Sequence, residues 1–104
     1  MQTTALLTIQ EALDRVDQNL WNNLHEQWIT DEMPGNDSGR YLMVEKGRYH
    51  DWVSTDNDPQ ALADLHVNQE HREDWIDATI VDRHTGDIFD VRRKAVLVNI
   101  TYEV

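Results

Sequence analysis

The side chains with chemistry to offer in this chain are its carboxylates. Twenty acids face nine bases over 104 residues, a formal net charge of −11. Thirteen of the acids are Asp, and the only lysines are Lys46 and Lys94. Charge of that size acts at long range and biases which partners can approach. It is unevenly spread. Residues 1–50 carry net −4, residues 51–90 carry eleven acids against Arg72 and Arg83 for net −9, and residues 91–104 carry net +2. A surface that only keeps a protein in solution mixes its signs more evenly.

Spacing gives the acids a possible use. Exposed residues on one strand face lie two apart, about 6.6 Å along the chain. Helix residues three or four apart bring their Cβ atoms within about 5–6 Å. One strand of duplex DNA carries a phosphate every ~3.4 Å of axial rise. Carboxylates on regular elements can therefore approximate a phosphate track. The candidates are Asp51, Asp56, Asp58, Asp64, Glu70, Glu73, Asp74, Asp77, Asp82, Asp87 and Asp90. The chemistry they point to is a mimic of nucleic acid that occupies the basic groove of a nucleic-acid-handling protein. The competing reading is a solvated acidic surface, or adaptation to high salt. A third is a small α+β enzyme or ligand-binding domain.

Aromatic residues add a second class of contact. Trp52 and Trp75 sit beside Asp51 and Asp74 within expected strands, and an exposed Trp ringed by acids is a natural interface anchor. Trp21 and Trp28 lie seven apart on an expected helix and read as core. Other chemistry is poorly represented. There is no cysteine, which excludes disulfides, thiolate metal sites and Cys nucleophiles. His66 and His71 are five apart and do not share a helix face as an i, i+4 zinc pair would. Asp56-Asn57-Asp58 is followed by Pro59, where a Ca²⁺ loop needs Gly and further ligands. No Ser has a nucleophile-elbow context, and no glycine-rich phosphate loop is present. Arg92-Arg93-Lys94 is the one basic cluster, too small for a nucleic-acid patch and suited to offsetting Asp87 and Asp90. The expectation is a non-catalytic protein with no cofactor and no metal.

The elements that position these residues follow from periodicity. Thr8-Ile9-Gln10-Glu11 is a capping box. Behind it Ile9, Leu13, Val16, Leu20, Leu24 and Trp28 recur at three- and four-residue steps, a helix over 9–30. The breakers from Met33 to Gly39 end it. Residues 40–46 and 48–54 read as two strands joined at Lys46-Gly47, with a turn at Thr55-Asp56-Asn57. Asp58-Pro59 is a helix start, with Asp as N-cap and Pro at the first position. It opens a short helix over 59–70 whose apolar side carries Ala61, Leu62 and Leu65, with His66 or Gln69 as further candidates. Strands over 75–82 and 87–91 flank Arg83-His84-Thr85-Gly86, a hairpin loop with Gly where positive φ is expected. The last strand spans 95–104. There Val96, Val98, Ile100, Tyr102 and Val104 alternate with Leu97, Asn99, Thr101 and Glu103, which predicts one buried and one wet face.

The order α-β-β-α-β-β-β predicts a single α+β domain over residues 1–104. One long and one short helix are laid on one face of a mainly antiparallel sheet. Without cysteine, signal peptide or membrane span, an intracellular, cytoplasmic setting is expected. The functional expectation is a small inhibitor of the anti-restriction or anti-CRISPR kind. It binds a basic protein partner and makes no direct contact with nucleic acid or membrane.

Overall fold

A computed structural model describes residues 6–16, 39–48, 51–69 and 72–101. The capping box forms as its sequence dictates. The Thr8 amide donates to Glu11 Oε1 at 3.0 Å, and the Glu11 amide donates back to Thr8 Oγ1 at 3.1 Å. Helix α1 then runs Ile9–Val16. Ala12 and Leu13 are buried, with Ile9 and Val16 packed at their sides. The continuation expected to residue 30, with Leu20, Trp21, Leu24 and Trp28, lies outside the described residues.

The strands are β1 (Tyr41–Gly47), β2 (Trp52–Asp56), β3 (Trp75–Asp82), β4 (Ile88–Arg92) and β5 (Val96–Asn99). They form one antiparallel sheet in the order β2-β1-β3-β4-β5. Helix α2 spans Pro59–Val67 between β2 and β3. Its N-cap is the expected one: Asp58 has extended backbone and accepts the Gln60 amide at 3.0 Å. The α+β order read from the sequence is the observed order.

The two helices do not share a face. Leu42, Val44, Val53 and Val81 point to the α1 side and pack with Ala12 and Leu13. Met43, Ala78, Ile80 and Val91 point to the other side and pack with Leu62 and Ala63 of α2. The reason is legible in β1. Leu42-Met43-Val44 is an unbroken apolar run, buried at all three positions, and a strand dry on both faces needs cover on both.

Several boundaries move for related reasons. β2 extends to Asp56, and its pairing with β1 runs from Tyr41 opposite Asp56 to Glu45 opposite Trp52, so the expected turn at Thr55-Asp56 is strand. The strand expected from residue 48 begins at Trp52, and just before it the Gly47 amide donates to Asp51 Oδ1 at 3.4 Å. On α2 the inward residues are Leu62, Ala63 and His66, while Leu65 is 53% exposed. Positions 62, 63 and 66 are one helical face, and 61 and 65 fall beside it. In the hairpin loop Gly86 takes φ +84°, a conformation that glycine adopts without strain; the nearest neighbour of a Cβ there would be the Arg15 guanidinium, the movable end of an exposed side chain.

The C-terminal strand corrects the expected register. Leu97 opposes Val91 and packs into the α2-side core, whereas Val96 is 52% exposed. Val98 and Ile100 are only half-buried, and Tyr102 and Val104 lie outside the described residues. The turn before β5 sets this. Lys94 and Ala95 both take left-handed backbone, φ 61° and 58°, and the Ala95 carbonyl accepts Gln60 Nε2 from α2 at 2.9 Å. That clasp turns Leu97, not Val98, toward α2. A one-residue difference in register exchanges the faces of a strand.

Candidate functional site

The candidate acids are distributed over both ends and both faces of the sheet. At one end lie Asp56, Asp58, Asp82 and Asp87; at the other lie Asp51, Glu73 and Asp74. Asp64 is on the outer side of α2. Asp77 and Asp90 point to the α1 side, in the rows of Lys46 and Thr79. Glu70 lies outside the described residues. A single continuous acidic face is not what the described residues form.

Several of these carboxylates hold the backbone together. Asp82, expected among the exposed acids, is instead buried at 4% exposure. It accepts both arms of Arg40, Nε at 3.0 Å and Nη2 at 2.9 Å, and the His84 amide at 2.9 Å. Burial works against its charged form, but the hydrogen bonds from Arg40, His84 and Thr85 outweigh it and hold the carboxyl below its ordinary range. Asp56 Oδ1 accepts the Asp58 amide at 2.9 Å, and Asp58 caps α2. Asp90 pairs with Arg92 Nε at 3.0 Å, two residues on along the same strand. Asp64, Glu73 and Asp77 are exposed, and Asp64 touches Gln60 Nε2 at 3.1 Å.

The two bases of this segment are drawn inward. Arg83 is 5% exposed; its Nε donates to the Leu7 carbonyl at 2.8 Å and its Nη1 to the Gly39 carbonyl at 2.7 Å. Arg72 Nη1 donates to the Trp75 carbonyl at 2.6 Å and is half-buried. Among the described residues of 51–90, every exposed side chain with a formal charge is therefore acidic: Asp56, Asp58, Asp64, Glu73 and Asp77.

The structure also brings Trp52 and Trp75 together, which alternation alone would not do. In β3, Thr79 and Val81 share the α1 side, and strict alternation would place Asp77 and Trp75 with them. The register shifts between Lys46 and Gly47: Lys46 opposes Asp77, Gly47 opposes Trp75, and Ile76 is the extra residue. This β-bulge leaves Ile76 69% exposed and turns Trp75 onto the α2 side, beside Trp52.

There the two indoles line a pocket of about 340 Å³ with Glu45, Leu65 and Gln69. Glu45 is 2% exposed and its Oε2 meets His66 Nδ1 at 2.8 Å, with His66 itself 1% exposed. Gln69 Nε2 donates to the same oxygen. Glu45, Leu65 and Gln69 were not among the sequence candidates. The signal for the buried pair was present as two exceptions. Glu45 is the charged residue ending an apolar strand run, and His66 lies on the inward face of α2.

Among the described residues no group of three or more His, Asp or Glu could hold a metal ion. None of their helices is long and apolar enough to cross a membrane. No family model, curated protein or solved structure matches this chain.

Proposed function

We propose that this protein is a non-catalytic cytoplasmic interaction domain that binds a basic protein partner, at a site which that partner otherwise uses for nucleic acid. The observation that carries the reading is the one-signed outer surface of residues 51–90. Five exposed carboxylates stand there while Arg72 and Arg83 are turned toward backbone carbonyls. A fold that merely needed solubility would have no reason to withdraw both cations. Acids on two faces suit a groove that closes around its ligand, since a duplex is itself charged on both strands. The inhibitor of a restriction or CRISPR system is the sharpest form of this proposal.

The test is capture from nuclease-treated host lysate on the immobilised protein, with elution by duplex DNA, by RNA or by KCl. A retained basic protein should be displaced by nucleic acid and released as salt rises, because exposed charges are screened beyond about 10 Å at 0.1 M. The variant carrying Asp64→Asn, Glu73→Gln and Asp77→Asn should keep its melting temperature and lose the partner. Retention that ignores nucleic acid, in a protein strongly stabilised by molar KCl, would favour a salt-adapted surface and end the proposal.

A further inference from the structure

We infer that the pocket between Trp52, Trp75 and Glu45 receives the guanidinium group of an arginine side chain. Glu45 is the buried charged residue of its lining. Both hydrogen bonds to the Glu45 carboxylate, from His66 and Gln69, fall on Oε2. Oε1 accepts none from the described residues, yet it is not sealed among the buried unpartnered atoms, and Glu45 lines the pocket. A carboxylate oxygen at 2% residue exposure has lost most of its water and is poorly compensated without a donor. The group that fits it is a cation with N–H donors.

The walls narrow the choice. Two indoles present electron-rich faces, and Trp is the strongest cation–π partner among side chains. Leu65 adds an apolar flank at the mouth, which suits the methylene stem that carries a cationic head. Gln69, held by its amide nitrogen against Glu45, keeps a carbonyl oxygen that accepts no hydrogen bond from the described residues. Two acceptors set beside flat aromatic surfaces match a planar fork of donors that stacks. That is arginine rather than the compact ammonium of lysine. The construction is deliberate in the backbone: without the bulge at Ile76, Trp75 would stand on the opposite face of the sheet. The source of the arginine, a basic protein partner, rests on the function proposed above; the chemistry of the pocket does not.

The test separates the two. The full chain is titrated with Nα-acetyl-arginine methylamide, with its neutral isostere Nα-acetyl-citrulline methylamide and with the lysine analogue Nα-acetyl-lysine methylamide, and the indole N–H signals are followed by NMR. The arginine probe should shift the Trp52 and Trp75 signals with a dissociation constant of roughly millimolar order, and the citrulline probe should bind about tenfold more weakly or worse. Glu45→Gln should remove the preference for arginine. Because that change reaches a buried pair, Leu65→Lys is run beside it: an exposed substitution at the mouth that keeps the fold and repels the probe. Equal binding of the citrulline probe, equal or tighter binding of the lysine analogue, or a folded Leu65→Lys protein that binds arginine like the parent would each overturn the assignment. If arginine binding fails while the triple acid variant still loses its captured partner, only the pocket assignment falls. If arginine binds and no partner is displaced by nucleic acid, the pocket stands and the function proposed above falls.

Discussion

Replacing Asp82 with Asn should destabilise the protein by about 2 kcal/mol at neutral pH, through loss of charge-assisted hydrogen bonds. The figure comes from its contacts. The carboxylate takes two arms of Arg40 and the His84 amide, with Thr85 N more distant at 3.4 Å. A hydrogen bond to a charged group contributes about 1.5–3 kcal/mol when its surroundings are dry. The Arg40 side chain is 43% exposed, so its share falls toward the ~0–1 kcal/mol of a surface ion pair. Asn can keep Oδ1 for Arg40 Nε and the His84 amide, but without the negative charge, and it sets an NH2 against Arg40 Nη2 in place of Oδ2. The pH dependence is the sharper reading. The folded carboxyl is held below its ordinary range, so its contribution is fully present above the unfolded pKa of about 3.9 and is lost as pH falls through the lower folded value. Urea melts of parent and variant should therefore differ most at neutral pH and converge under acid conditions. A second arm of the experiment is the double-mutant cycle with Arg40→Met, which should show a coupling of roughly 1 kcal/mol. A stability gap of equal size at neutral and acid pH, with no coupling to Arg40, would refute the reasoning.

The remaining predictions concern packing and backbone. Leu13→Ala should cost about 2–5 kcal/mol by urea melts, because Leu13 is fully buried among Leu42, Val44 and Val81; a loss near zero would remove α1 from the core. Leu97→Asp should prevent cooperative melting while Val96→Asp is tolerated within about 0.5 kcal/mol, since Leu97 faces α2 and Val96 is exposed. The reverse outcome would mean that β5 pairs one residue away. Lys94→Gly should stabilise by about 1 kcal/mol by relieving left-handed backbone at an exposed position, and a lower melting temperature would contradict that account.

Local signals in the sequence were sufficient for local structure. The Thr8–Glu11 box, the Asp58-Pro59 start and Gly86 at positive φ each depend on residues within four positions of one another, and the bounds of β3 on one eight-residue run. What escaped is what depends on partners far along the chain. The unbroken run Leu42-Met43-Val44 shows that β1 needs cover on both faces but not which helix lies on which. Alternation in β5 shows two faces but not which one turns inward, because the Lys94-Ala95 turn decides that through a clasp from Gln60 of α2. Thr101 makes the same point. The alternation puts it on the polar side of the last strand, yet its hydroxyl accepts the Ile88 amide at 2.9 Å and donates to Asn99 Oδ1 at 2.6 Å. The pocket was least legible of all, because it needs a bulge to bring Trp75 around and a pairing of Glu45 with His66 across 21 residues.

The preference for Asp over Glu has a physical cause that bears on recognition. Asp carries one methylene fewer, which lets its carboxylate reach a backbone amide two residues on. Asp56, Asp58 and Asp82 each do this, to residues 58, 60 and 84, and Asp51 reaches back to the Gly47 amide. No Lys or Arg can serve in those places, because each lacks an acceptor. Part of the acidity of residues 51–90 is thus required by the turns and the cap of this fold, whatever the host and whatever the partner. Fewer acids than the net charge suggests stand outside these turn contacts: among the exposed ones they are Glu73, Asp77 and Asp64, the last of which touches Gln60. A charge-reversal experiment that included Asp82 would confuse unfolding with loss of a partner. One confined to the three surface acids reads recognition alone.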